Sequence, residues 1–169
     1  KNNMFHLATA NTSYIFFINS LGLAEHLYYG KRLRNPEYDI PSLREKHVGP
    51  RVNETSLTPD DLTIQPGNLM SEFSTEDKGD YRTPSIAVST GRKKLRTLDL
   101  RFSGYTSFTG IQRFSSPLFQ ALGSDQNTCG VSLEFRDPVA GVKATFLYTL
   151  FDDSDVITRR VVIENISSE

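Results

Sequence analysis

Apolar and polar side chains alternate with a period of two at both ends of this chain, the pattern of strands half buried in a sheet. The clearest instance sets Val131, Leu133 and Phe135 against Ser132, Glu134 and Arg136. Asp137-Pro138-Val139-Ala140-Gly141 then reads as a turn, because Pro138 presets φ and Gly141 tolerates a positive one. Val142, Ala144, Phe146, Tyr148 and Leu150 form the apolar face of a second strand. A turn over 152–155 leads to a third strand over 156–165, so the three strands predict an antiparallel meander. Leu133, Phe135, Phe146, Tyr148, Val161 and Ile163 are core candidates, with the Tyr148 hydroxyl expected at an edge where it finds a partner.

The first half opens with three strand candidates, residues 4–9, 13–19 and 23–29. Ala10-Asn11-Thr12 and Asn19-Ser20-Leu21-Gly22 separate them as hairpin turns. Short strands are predicted again at 86–89 and 98–102, and an irregular loop at 109–128 with a helical turn near 118–122. No stretch sustains a helical period. The pattern predicts an all-β antiparallel sandwich, one domain over residues 1–169.

Residues 31–71 interrupt this pattern with five of the eight prolines: Pro36, Pro41, Pro50, Pro59 and Pro66. A long loop over 43–67 is the result. Pro50, Pro59 and Pro66 cannot donate ladder hydrogen bonds, so the segment is unsuited to a central strand. Ordering it costs roughly 1–2 kcal/mol of backbone entropy per residue. An extended arm that leaves its sheet and gains contacts at an active site or subunit interface would offset that cost.

Nineteen basic against twenty acidic side chains leave a net charge of −1, which gives no field to steer nucleic acid or an anionic membrane. The longest apolar run, Tyr14-Ile15-Phe16-Phe17-Ile18, is too short to span a bilayer, and the first residues lack a secretory signal pattern. Cys129 is the only cysteine, which excludes an intrachain disulfide and fits a reducing cytoplasm. In that compartment the glycosylation patterns at Asn11, Asn53 and Asn165 have no consequence.

Candidate chemistry is sparse. No glycine-rich phosphate loop or nucleophile elbow is present, and His6, His26 and His47 lack metal-ligand spacing, so no cofactor and no metal are expected. The acidic pairs Asp60-Asp61, Asp152-Asp153 and Glu76-Asp77 read as turn and cap residues rather than as two carboxyls held across a glycosidic bond. Asp80-Tyr81-Arg82 could recognise a hydroxylated ligand, but an ion pair tying a strand start is the preferred reading. The basic cluster Arg92-Lys93-Lys94-Arg96 reads as a solvated hairpin tip.

Three blocks in order carry a resemblance. Phe5-His6-Leu7 with Asn11-Thr12-Ser13-Tyr14 and Glu25-His26-Leu27-Tyr28-Tyr29-Gly30-Lys31 form the first. The second is Glu72-Phe73-Ser74-Thr75 with Gly79-Asp80-Tyr81-Arg82-Thr83-Pro84. The third is Asp155-Val156-Ile157-Thr158-Arg159 leading to Ile163-Glu164-Asn165. Together they resemble the start of glycoside hydrolase family 36 α-galactosidases. The resemblance implies a β-supersandwich domain, incomplete here, ahead of a (β/α)8 barrel that carries both catalytic aspartates of a retaining hydrolase. No catalytic residue is therefore expected in this chain. It also implies that the long loop supplies an aspartate and an arginine to a galactose site, often a neighbouring subunit's. Pro50 and Leu62 stand near where those two are expected, which leaves Arg51, Asp60 and Asp61 as candidate substitutes.

The expected partners are an α-galactoside, the chain's own catalytic barrel and further copies of itself. Two other readings compete. A free-standing carbohydrate-binding module would need exposed aromatics, for which Tyr28, Tyr29 and Tyr105 could serve, although there is no Trp. A structural oligomerisation domain would need no contact with sugar.

Overall fold

The computed structural model describes residues 3–35, 40, 42, 56–76, 78–89, 96–114 and 123–167. Two antiparallel sheets face each other. The first is β1 (Asn3–Ala8), β2 (Thr12–Ile18) and β3 (Ala24–Lys31), in that order. The second is β4 (Arg101–Thr109), β5 (Thr128–Asp137), β6 (Val142–Phe151) and β7 (Val156–Asn165), also in chain order. The all-β sandwich and the 131–165 meander are as the alternation predicts. No helix among the described residues is long and apolar enough to cross a membrane.

The core lies between the sheets. Leu7, Phe16, Ile18 and Ala24 from the first sheet meet Val131, Leu133, Phe135, Ala144, Phe146, Tyr148 and Leu150 from the second. Phe16 is the keystone, stacked on Phe5 at 5.0 Å and on Tyr148 at 5.0 Å between ring centroids. Strand β2 is buried on both sides, because Ile15 and Phe17 form a second apolar cluster with Leu27 on the outer face.

Several expectations need correction. Ile163 shares the inward face with Val161 but is 40% exposed, because β7 is an edge strand and the three-stranded sheet opposite does not cover its end. Tyr148 is 1% exposed, and its hydroxyl finds a partner inside the protein rather than at an edge. Residues 86–89 form no strand; Ile86 makes a single bridge to Thr75. Leu98 and Leu100 are core residues outside any strand, and β4 begins only at Arg101. The polar run from Ser103 to Ser107 carries no alternation to read, and it pairs through its backbone after an irregularity between Phe102 and Gly104. The helical turn near 118–122 and residues 92–94 of the basic cluster lie outside the described residues. Arg96 stands 3.9 Å from Glu76.

Side-chain caps hold the turns. The Asp137 carboxylate accepts from the backbone N–H of Val139 and Ala140, each at 2.9 Å, while its other oxygen accepts from Asp99 N at 2.6 Å. Asp155, with φ at 58°, accepts from the Thr9 hydroxyl and from Asn11 N, tying the β6–β7 turn to the β1–β2 turn across the sandwich.

Gly130 on β5 is a close-approach site. A Cβ there would lie 2.2 Å from the Tyr148 carbonyl oxygen and 2.3 Å from Phe108 Cζ. Gly130→Ala is expected to cost about 1–3 kcal/mol by overpacking, read as a lower denaturant midpoint at unchanged m-value.

Candidate functional site

The polar centre of the molecule is one carboxylate, Glu72, whose side chain is 1% exposed. It sits on the segment that runs along edge strand β3, where Ser71 bridges Glu25 and Glu72 N donates to the Ala24 carbonyl. Tyr14 Oη donates to Glu72 at 2.7 and 2.8 Å, Tyr148 Oη at 2.6 Å, and His26 Nδ1 lies 2.9 Å from Oε1. Arg159 Nη1 reaches both the Glu72 carbonyl, at 2.7 Å, and Oε2, at 3.2 Å.

A bulge brings His26 into this group. In the β2–β3 register Ile15 pairs with Tyr28 but Phe16 pairs with His26, leaving Leu27 as the extra residue. Without that extra residue His26 would face outward, since a one-residue slip exchanges the faces of a strand. With it, His26 joins Tyr14 on the inner face, ring centroids 4.9 Å apart.

Burial acts to raise the Glu72 pKa, but hydrogen bonds from His26, Tyr148 and Tyr14 outweigh it and hold the carboxyl below its ordinary value. Burial first, and then the Glu72 charge, push both tyrosine hydroxyls upward. Burial opposes the charge of Arg159, but the facing Tyr148 and Glu72 more than compensate. Glu72, the two tyrosines and Arg159 therefore hold their ordinary charge states at neutral pH.

Above this centre lies an open hollow of about 430 Å³, lined by Tyr14, His26, Met70, Ser71, Glu72, Arg82, Ser85 and Arg159. Its size falls within the range of about 300–1,000 Å³ typical of small-molecule sites. A retaining glycosidase needs two carboxyls about 5–5.5 Å apart, with the acid's pKa raised. Among the described residues Glu72 is the only carboxylate lining the hollow, its pKa is lowered and its oxygens are occupied, so it fits neither role. Among the described residues no group of three or more His, Cys, Asp and Glu could hold a metal ion.

The sequence-predicted residues lie elsewhere. Arg51 is outside the described residues. Asp60 is exposed, and one Asp61 oxygen accepts from Thr63 N at 3.0 Å and from the Thr63 hydroxyl. Of the loop expected over 43–67, residues 56–67 follow a compact rather than an extended path. Leu57 N donates to the Ile64 carbonyl, the Ser56 hydroxyl lies among the carbonyls of Thr58, Asp61 and Ile64, and Ile64 is fully buried. Asp80 and Arg82 form the expected ion pair at 2.7 Å, and Arg82 also donates to the Pro66 carbonyl.

Reading for catalytic pairs passed over Glu72, Tyr14, Tyr148 and Arg159. A signal was nonetheless present, because each of the three blocks contributes to the cluster: Tyr14 and His26 from the first, Glu72 from the second and Arg159 from the third.

Comparison with known proteins places these blocks in context. Residues 22–169 match the profile of the glycosyl hydrolase family 36 N-terminal domain. The α-galactosidase of Lactobacillus brevis superimposes with a TM-score of 0.87 at 30% identity, over 99% of this chain and 22% of that one. An α-galactosidase AgaA structure from Geobacillus stearothermophilus, in complex with raffinose, gives 0.82 at 25%, over 96% and 22%. The bifunctional α-galactosidase/sucrose kinase AgaSK of Mediterraneibacter gnavus is 28% identical over 96% of this chain and 17% of its own length. The chain thus spans about a fifth of the length of these relatives. By its sheets, by the register of its three blocks and by the match over residues 22–169, the chain belongs to the glycosyl hydrolase family 36 N-terminal domain.

Proposed function

We propose that this domain is the non-catalytic amino-terminal part of a retaining, cytoplasmic α-galactosidase that cleaves terminal α-galactosides of the melibiose and raffinose type. Its role is assembly, of a homo-oligomer and with its own catalytic barrel, and the formation of active-site walls. The observation that carries this reading is the fit of nearly the whole chain onto the first fifth of α-galactosidases. A saturated, low-pKa carboxylate at the polar centre beside the hollow supports the absence of catalysis here. Loop 43–67 is the part that reaches the sugar, with Arg51, Asp60 and Asp61 as the contacting residues. Asp60 is exposed on a turn and suits that role.

Two results are expected. The chain of residues 1–169 alone releases no nitrophenol from p-nitrophenyl α-galactoside, whereas the full-length protein does. In the full-length enzyme Arg51→Ala or Asp61→Ala lowers kcat/KM about 10- to 150-fold, the loss of one charged hydrogen bond of about 1.5–3 kcal/mol. Unchanged kcat/KM in both variants, with the oligomer intact, would reduce the loop to a linker.

A further inference from the structure

We propose that Asp80 and Arg82 are positioning residues for saccharide binding: together they clamp the loop end at Pro66 and so set where Asp60 and Asp61 stand. The proposal rests on the reading of loop 43–67 as the part that reaches the sugar, and it concerns residues 56–66 of that loop.

Residues 56–66 are closed on themselves. Leu57 N donates to the Ile64 carbonyl at 3.0 Å and Ile64 N to the Asp61 carbonyl at 3.2 Å. The Ser56 hydroxyl lies 2.8 to 3.2 Å from the carbonyls of Thr58, Asp61 and Ile64, and the Gln65 amide donates to the Leu62 carbonyl at 3.2 Å. Such a segment is a unit, and its attachment decides where its tip stands. Packing fixes that attachment only in part. A cleft of about 70 Å³ is lined by Leu57 and Pro66 of the loop and by Leu100, Phe135 and Phe146 of the core, so loop and sandwich are not in continuous contact on this side.

The clamp closes at Pro66. Lys78 and Gly79 both take a positive φ, 61° and 85°, in a sharp turn that sets Gly79 against the Pro66 ring, where a Cβ on Gly79 would meet Pro66 Cγ at 3.4 Å. Arg82 Nη2 donates to the Pro66 carbonyl at 3.0 Å. The same guanidinium holds Asp80 by two parallel bonds, Nε to Oδ1 at 2.8 Å and Nη2 to Oδ2 at 2.7 Å. Such a fork fixes the plane of a guanidinium, which a single contact does not. The turn is itself anchored to the second sheet. Lys78 pairs with Asp99, Asp99 accepts from Arg101 Nε at 2.7 Å, and Asp99 N donates to Asp137 at the end of β5 at 2.6 Å. One turn and its bonds therefore connect β5 to Pro66.

The test follows hydrolysis of p-nitrophenyl α-galactoside by the full-length protein. Arg82→Lys keeps the charge but lacks the planar fork, and Asp80→Asn keeps the shape but loses the ion pair. Both are expected to raise KM about tenfold with kcat within about twofold, because a displaced loop loses binding shared by the ground and transition states. Their thermal transitions should stay with the parent's, since one ion pair of this kind adds little to global stability. Added to Asp60→Ala or Asp61→Ala, whichever raises KM, Arg82→Lys is expected to have no further effect, which distinguishes action through the loop from a general loss of structure. A parent KM in both clamp variants, or effects that multiply with those of the loop variants, overturns the clamp alone. Unchanged KM in Arg51→Ala, Asp60→Ala and Asp61→Ala, or a full-length protein that cleaves no α-galactoside, overturns the reading of the loop and the clamp's role with it.

Discussion

Replacing Glu72 by glutamine is expected to destabilise the domain by about 3–5 kcal/mol, the usual cost of removing one partner from a buried charged network. The amide would present donors to Tyr14, Tyr148 and Arg159, which already donate, and the Arg159 charge would lose its counterion. At roughly 2–4 °C per kcal/mol for a chain of this size, Tm falls by about 6–20 °C. Replacing Tyr148 by phenylalanine removes one donor and leaves the carboxylate three others, so it should cost only about 1–3 kcal/mol. Equal losses in the two variants would mean that the Tyr148 hydrogen bond alone accounts for this centre, and not the charge of the carboxylate with its other partners.

The pH dependence has a definite sign. Glu72 titrates below its ordinary value of 4.5 in the folded protein, so the unfolded chain binds its proton more readily. Its contribution is complete above that ordinary value and disappears as pH falls through the lowered folded one. Asp80 and Asp99 are also lowered and add to the same acid limb. The Glu72 part is isolated as the stability difference between parent and Glu72→Gln, which should shrink below about pH 4.5. A difference constant down to pH 3 would contradict the role given to this carboxylate.

Phe16→Ala is expected to cost about 3–5 kcal/mol, as large-to-small changes at buried aromatic positions do. Phe16 is 1% exposed and joins the two sheets by stacking on Phe5 and Tyr148, so its removal leaves a cavity bounded by strands that cannot collapse without breaking their ladders. Urea unfolding of both proteins measures the loss as a shift in midpoint. Val139→Ala, at a position 85% exposed in a turn, is the control and should stay within about 0.5 kcal/mol. A Phe16 loss no larger than the control's would show that the sheets are not held together there.

Residues of the meander were legible from the chain because their determinants are local. One buried face imposes a period of two on Val131, Leu133 and Phe135, and the Asp137 turn is capped by its own side chain two and three residues on. Strand β4 was poorly legible because it is an edge strand whose backbone pairs while most of its side chains remain exposed. Resemblance carried more than periodicity at the polar centre: it marked the blocks that hold Tyr14, His26, Glu72 and Arg159 without showing that they meet.

By itself, then, the sequence determined the strands with one buried face, the turns between them, the all-β class and the family. Tertiary structure alone decided the rest. It set which residues of the inward faces are covered, burying Tyr148 and leaving Ile163 exposed at an edge. It placed a bulge at Leu27 that turns His26 inward. It also brought a glutamate within hydrogen-bond reach of residues 46 to 87 positions away. The physical reason is range: side-chain alternation and turn caps act over a few residues, whereas a buried charge can be satisfied only by groups that packing of the two sheets delivers.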